Sequence, residues 1–255
     1  MLWLKCHSEK GMTECRRAQI VLLDERRLDI PLQPRLMVHE LLDIVSSHYR
    51  LDEKDKQYFG LAFVDEREQC FWLQPDRRVL DYEFPRKPGY SSSPVVLYHL
   101  VKFFVDNVFS LAGASAVELF FLQAKINVAK GLLACSVDEL CTLGAYALLA
   151  LIGPFTSDQS SIKYSKRLCL LPPHLLKEQV SLYSTEDKVV EKYRCLGNFS
   201  RGEAVLEYMG IIQRLASYGM HMFDVVDKNG MPWLLGLGAR GIFLFDPENA
   251  QKPKR

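Results

Sequence analysis

The sequence predicts an α+β protein in which two strand-rich sections flank a helical one, and three observations carry that prediction. Residues 18 to 104 set short β-rich runs around a single amphipathic stretch, residues 115 to 215 turn to Leu, Ala, Glu and Lys at helical spacing, and residues 217 to 245 return to short apolar runs between glycine-bearing turns. The 255 residues are 48% apolar and 25% charged, with 32 Lys plus Arg against 31 Asp plus Glu, which excludes disordered, collagenous and coiled-coil classes. A net charge of +1 argues against a whole-surface nucleic-acid binder, while leaving room for a local basic patch.

In the first section Ala18 to Leu23 and Leu28 to Leu32 flank the charged turn Asp24-Glu25-Arg26-Arg27, which reads as a hairpin. Leu36 to Tyr49 places Val38, Leu41, Leu42 and Val45 on one helical face. Tyr58 to Val64, Cys70 to Leu73 and Val95 to Phe104 supply further strands, and Arg86 to Pro94, with two X-Pro steps and Ser91 to Ser93, reads as a loop. Hairpin, helix, then strands is the order of a ubiquitin-like β-grasp.

Four Ser-x-x-acid pairs mark helix starts in the middle section: Ser115 with Glu118, Ser136 with Glu139, Ser184 with Asp187, and Ser200 with Glu203. The last of these helices aligns Val205, Tyr208, Ile212 and Leu215, and Leu171-Pro172-Pro173 punctuates the section. The third section reads as a meander of Met220 to Val226, Met231 to Leu237 and Ile242 to Phe245, followed by a polar tail. Three strands with an open edge and no covering helix make an incomplete domain.

Chemistry-bearing motifs are few. The seven cysteines, at 6, 15, 70, 135, 141, 169 and 195, form no CxxC pair or zinc spacing, so no metal is expected and a reducing compartment fits. The six histidines, at 7, 39, 48, 99, 174 and 221, stand singly; His39 falls on the polar side of the first helix, His221 within a strand, and Cys135 and Cys141 read as small buried hydrophobes. Gly236-Leu237-Gly238-Ala239-Arg240-Gly241 matches GxGxxG by letter, but strand-like Ile242 to Phe245 follows where a dinucleotide fingerprint needs a helix, so it reads as a turn. No motif nominates a nucleophile with its base, and no cofactor is implied. The start lacks the apolar core of a secretory signal, and Leu140 to Ser157, the longest uncharged run, is broken by Gly144, Gly153 and Pro154, short of a membrane span.

The order of the sections and several motifs resemble the FERM domain, the membrane-proximal module of ezrin, radixin, moesin, merlin, band 4.1 and talin. The residues that carry the resemblance are Tyr58-Phe59-Gly60-Leu61 with Trp72-Leu73 and a basic pair, Glu118 through Lys125, Gly144-Ala145-Tyr146-Ala147 with Gly153 and Phe155, and Glu207-Tyr208 through Trp233-Leu234-Leu235-Gly236. Cys15-Arg16-Arg17, Glu40-Leu41-Leu42-Asp43 and Arg77-Arg78-Val79-Leu80 with Phe84-Pro85 look most like the FERM-domain-containing 4 group of polarity scaffolds. The resemblance implies an N-terminal extension at 1–17, a ubiquitin-like first lobe at 18–104, an acyl-CoA-binding-like helical second lobe at 105–216 and part of a PH/PTB-like third lobe at 217–255, together a FERM cloverleaf. Half a third lobe is expected, from a fragment or a short isoform, without the family's peptide groove.

By the same resemblance the chain is a noncatalytic adaptor that links phosphoinositide-containing plasma membrane and junctional or polarity proteins to the cytoskeleton, cytoplasmic and peripheral at the membrane's inner face. The alternative is the regulatory front end of a tyrosine kinase or tyrosine phosphatase. Arg77 and Arg78 occupy the position of a basic pair that faces the family's cleft between first and third lobes and binds inositol phospholipid headgroups; Lys228 and Lys254 fall at basic third-lobe positions, while Asn229 replaces a lysine often found there. Guanidinium forks suit phosphate oxygens because they donate bidentately and keep their charge. Implied partners are phosphoinositide headgroups, cytoplasmic tails, a Par-complex scaffold and cytohesin-type Arf exchange factors, with no nucleic acid. The pairs Arg16-Arg17 and Arg26-Arg27 read as surface charge that acidic tails can use.

Overall fold

The structure, a computed structural model, describes residues 16–67, 69–85, 94–156, 179–197, 199–247 and 249–254. Ser91 to Ser93, the Leu171-Pro172-Pro173 break, His7, His174, Cys6, Cys15 and Cys169 lie outside the described residues. Nine strands and five α-helices are present among the described residues. They divide between two compact units, one holding the described residues up to Arg50 and within Phe59–Leu100, the other Leu51–Tyr58 and the described residues from Val101 onward.

The first unit is a five-stranded sheet with one helix. Strand β1 (Arg17–Val21) pairs antiparallel with β2 (Arg27–Pro31), setting Gln19 opposite Asp29, and parallel with β5 (Val95–Val101), setting Ile20 beside Leu97. With β3 (Phe59–Val64) and β4 (Cys70–Trp72), an antiparallel pair, the order is β2-β1-β5-β3-β4. A parallel neighbour requires a crossover, and α1 (Val38–His48) supplies it. Its Val38, Leu41 and Val45 are buried, as their spacing predicts, and pack with Ala18, Ile20, Leu61 and Leu97; full burial of such a side chain is worth ~1.5–3 kcal/mol. Glu40 accepts from the Met37 N–H at 2.8 Å and so caps the start. β5 ends at Val101, three residues before the sequence pattern does.

In the second unit α2 (Ala114–Ala129), α3 (Val137–Ile152), α4 (Gln179–Cys195) and α5 (Arg201–Ile212) pack so that α3 meets both α4 and α5, and α2 meets α5. Gly144 of α3 lets α4 approach, since a Cβ there would stand 3.1 Å from both γ-carbons of Val189. Phe121 packs edge-on against buried Tyr208 at 4.9 Å, which joins α2 to α5.

The Ser136–Glu139 and Ser200–Glu203 boxes form as read: each serine hydroxyl accepts from the glutamate N–H at 3.3 Å, and each glutamate accepts from the serine N–H at 2.8 Å. The other two are corrected. Helix α2 starts one residue before Ser115, with Gly113 as its N-cap; Asp55, buried to 1% exposure, accepts from the N–H groups of Ala112 at 3.0 Å and Gly113 at 2.9 Å. Glu118 is thereby free to pair with Arg201 of α5. At Ser184 the backbone is already helical, α4 running from Gln179 through it.

A four-stranded antiparallel sheet follows: β6 (His221–Val226), β7 (Pro232–Gly238), β8 (Gly241–Asp246) and β9 (Asn249–Pro253), paired in that order. The polar tail read after Pro247 is therefore partly strand, pairing with β8 across a bulge between Phe245 and Asp246. Opposed residues share a face, so Phe223 lies with Leu235 and Leu244, and His221 with Leu237 and Ile242. Phe223 and Ile242 remain 49% and 71% exposed. Among the described residues no helix is long and apolar enough to cross a membrane.

Candidate functional site

Arg77 and Arg78 lie in a turn that the first unit ties down at several points. The carbonyl of Pro75 accepts from the N–H of His39 at 3.1 Å and from its ring Nδ1 at 3.0 Å, while the carbonyl of Arg77 accepts from the Val38 N–H at 2.9 Å. These are first-turn N–H groups of α1, which have no partner inside the helix, so the turn is fastened to donors that must be satisfied. Arg78 forms a single bridge with Met37, and its carbonyl accepts from Asp81 at 3.2 Å, opening a short 3-10 turn at Val79–Asp81 with Val79 fully buried.

Both arginine side chains reach outward from this frame, and both residues are exposed. The Arg77 guanidinium carbon stands 4.6 Å from the centre of the Tyr82 ring. Neither guanidinium has an ion-pair partner among the described residues, although Asp76, Asp81 and Glu83 are close in sequence. Two adjacent cations on a pinned turn can take the oxygens of a phosphate.

Lys228 and Lys254 belong to the second unit. Lys228 projects from the β6–β7 turn, where Asp227 Oδ1 accepts from the N–H groups of Asn229 at 2.8 Å and Met231 at 2.9 Å; the bond from Met231 leads the effects that hold the Asp227 carboxyl below its usual range. Lys228 is exposed and makes no ion pair among the described residues. Lys254 is engaged: its Nζ lies 3.0 Å from Asp246 Oδ2 and 4.6 Å from the centre of the Trp233 ring. An exposed pair of this kind is worth ~0–1 kcal/mol, which a phosphate has to overcome to recruit Lys254.

The structure accounts for the GxGxxG letters without a nucleotide. A Cβ on Gly236 would stand 2.9 Å from the Phe245 ring, one on Gly238 would stand 2.8 Å from the Gly219 carbonyl oxygen, and Gly241 has φ +126 at the head of β8. Between them Arg240 donates to the carbonyls of Leu215 at 3.2 Å, Ala216 at 3.3 Å and Tyr218 at 2.8 Å, capping the turn beyond α5. The hollow beside it, lined by Phe104, Asp106, Tyr218 and Arg240, holds about 10 Å³, room for one water.

The remaining candidates stay quiet. Cys141 is buried as read, whereas Cys135 is only half-buried; burial still pushes the Cys135 thiol up to about 12, so at neutral pH it is no thiolate. His39 is exposed, on the polar side of α1 as read, and His221 lies in β6, within a strand as read, and is exposed there. No group of three His, Cys, Asp or Glu among the described residues could hold a metal ion. Sequence reasoning missed Tyr82 under Arg77 and the Asp246 and Trp233 side chains that hold Lys254. An aromatic five residues beyond an exposed arginine was the available signal for the first; for Lys254 there was none, because its contacts need the β8–β9 pairing.

A β-grasp sheet, a helical bundle and an antiparallel meander follow one another along the chain. The FERM N-terminal domain model matches residues 20–83 and the FERM central domain model residues 106–223. The chain belongs to the FERM family.

Merlin of Homo sapiens is 29% identical over 217 residues, covering 84% of this chain and 35% of that protein. Band 4.1-like protein 4A of Homo sapiens is 28% identical over 232 residues, 89% of this chain and 32% of that protein. Tyrosine-protein phosphatase non-receptor type 14 of Mus musculus is 28% identical over 233 residues, 90% of this chain and 19% of that protein. The chain thus spans between about a fifth and about a third of these relatives' length. Among solved structures, the FERM and C-terminal domain complex of Drosophila Merlin superposes with TM-score 0.78 at 27% identity, covering 94% of this chain and 78% of that one. The C-terminal MyTH4-FERM domain of human Myosin 7b, solved with the harmonin-a PDZ3 domain, superposes with TM-score 0.70 at 14% identity, covering 94% and 50%, and shares the fold.

Proposed function

We propose that this chain is a noncatalytic adaptor whose Arg77 and Arg78 dock on phosphoinositide headgroups at the inner face of the plasma membrane. The observation that carries the reading is the pair itself: two exposed guanidinium groups with no carboxylate partner among the described residues, on a turn fastened to the first turn of α1, in a FERM chain. Lys228 adds a third cation and Lys254 a weaker fourth. At ~1 kcal/mol per basic residue near an anionic leaflet, the attachment is weak and reversible, which suits a peripheral scaffold. Residues 18–104, 105–216 and 217–255 act in this reading as three lobes after an extension at 1–17. The scaffold joins junctional or polarity proteins to the cytoskeleton, and its likeness to the FERM-domain-containing 4 group adds a Par-complex scaffold and cytohesin-type Arf exchange factors as partners.

Co-sedimentation with phosphatidylcholine vesicles, with and without phosphatidylinositol bisphosphate, tests the site. Wild type pellets with the bisphosphate vesicles, less so at high salt, and the chain with Arg77→Ala plus Arg78→Ala does not; equal pelleting of both removes the arginine assignment.

The alignment with tyrosine-protein phosphatase non-receptor type 14 supports a second reading, the regulatory front end of an enzyme. A transcript that continues in frame into a phosphatase or kinase sequence decides for it; one that continues into other sequence decides for the adaptor.

A further inference from the structure

We propose that Tyr82 is the positioning residue of the anion site at Arg77, an inference that rests on the phosphoinositide reading above and names the part of the site that sets its geometry. The tyrosine ring is itself fixed: its hydroxyl accepts from the Gln74 N–H at 2.7 Å, and its ring meets Phe63 at 6.4 Å in an edge contact and Phe84 at 6.1 Å. Phe63 in turn stacks on Phe71 at 5.4 Å and meets Phe84 at 5.2 Å, so Tyr82 is one member of a four-ring cluster anchored in the sheet. Arg77 is held at both ends, its carbonyl by α1 and its guanidinium by this ring.

The chemistry follows from the shape of the group. A guanidinium laid on a ring spends its flat face on the ring, and its N–H donors, which lie in the plane, stay available at the edge. A salt bridge to Asp76, Asp81 or Glu83 would have consumed those donors. Arg77 is therefore a pre-set fork that loses little side-chain freedom when a phosphate oxygen pair arrives, whereas Arg78, one residue on and with no ring contact among the described residues, contributes charge. Lysine at position 77 would keep the charge and lose the fork. The ligand chemistry is a phosphomonoester oxyanion, offered either by a lipid headgroup or by a soluble inositol phosphate.

The test compares Tyr82→Leu, Tyr82→Phe, Arg77→Lys and Arg77→Ala in the vesicle assay, with soluble inositol trisphosphate as competitor. Without the ring the Arg77 side chain has to be ordered on binding, which predicts about two- to ten-fold weaker binding for Tyr82→Leu. Tyr82→Phe keeps the shelf and stays closer to wild type, Arg77→Lys weakens binding despite its charge, and Tyr82→Leu adds nothing on top of Arg77→Ala. Release of the wild-type chain from vesicles by inositol trisphosphate supports a headgroup-sized site; no release points to diffuse bilayer charge and overturns it. Binding of Tyr82→Leu at the wild-type level while Arg77→Ala loses binding overturns the role of Tyr82 and leaves the lipid reading standing, whereas wild-type binding by Arg77→Ala overturns the lipid reading itself. Should Tyr82→Leu fail to fold, the Arg77 δ protons of the wild-type chain decide: a ring-current shift that inositol trisphosphate perturbs supports the shelf, and unshifted protons overturn it.

Discussion

His99 occupies a position in β5 that the alternation of buried Val95, Leu97 and Val101 reserves for an apolar side chain. Its ring lies between Phe59, stacked at 5.3 Å, and Tyr49, stacked at 5.6 Å, and neither ring nitrogen has a hydrogen-bond partner among the described residues. Burial alone lowers its pKa from 6.5 to about 4, so the imidazole is neutral in the folded unit. Because the unfolded chain takes up the proton first, stability is fully present above pH 6.5 and falls as pH drops from there toward 4, by a total of order 3 kcal/mol. Urea denaturation at a series of pH values should show that slope in wild type and a shallower one in His99→Phe; identical slopes would contradict it. The sequence displayed His99 as one of six scattered histidines, and only the pairing of β5 between β1 and β3 shows that this one is enclosed. Gly238 makes the opposite point: its motif already reads as a turn, and the nearest atom to a Cβ placed there is the Gly219 carbonyl oxygen. Gly238→Ala puts a methyl against the Gly219 carbonyl oxygen, and a destabilisation of ~1–3 kcal/mol is expected from calorimetry, with no nucleotide affinity to lose.

Among the elements, those whose ends are closed by neighbours in sequence were legible and those closed from afar were not. Ser136–Glu139 and Ser200–Glu203 are local boxes, and both helices begin where they stand. Helix α2 has Gly113 as its N-cap, and Asp55, almost sixty residues upstream, holds the N–H groups of Ala112 and Gly113 that lead into it, so Ser115 drew attention to itself while the start was fixed from afar. Asp55→Ala leaves two N–H groups at the α2 start without their acceptor and is expected to lower unfolding free energy by ~2 kcal/mol, with Asp55→Asn intermediate. Equal stability of the alanine variant and wild type in urea would remove Asp55 from that role. Strand β9 escaped notice for a related reason: it is polar, and its partner, not its composition, makes it a strand.

At the scale of the whole molecule, the succession of sheet, bundle and sheet was readable because each section holds one periodicity over many residues, which no single side chain can disguise. Arg77 and Arg78 were nominated by resemblance, and the fold adds why the first of them is held still: α1 grips its carbonyl and Tyr82 carries its guanidinium. The same fold lowers the standing of Lys254, which Asp246 and Trp233 already hold. What joins these findings is the claim that the chain docks on a phosphorylated headgroup and not merely on negative charge. The most direct measurement is the partition of wild type and the Arg77→Ala plus Arg78→Ala chain between vesicles of equal surface charge, one set carrying phosphatidylinositol bisphosphate and the other phosphatidylserine. Preference of wild type for the bisphosphate set, lost in the double variant, is the predicted result; equal partition of wild type between the two sets would contradict the account.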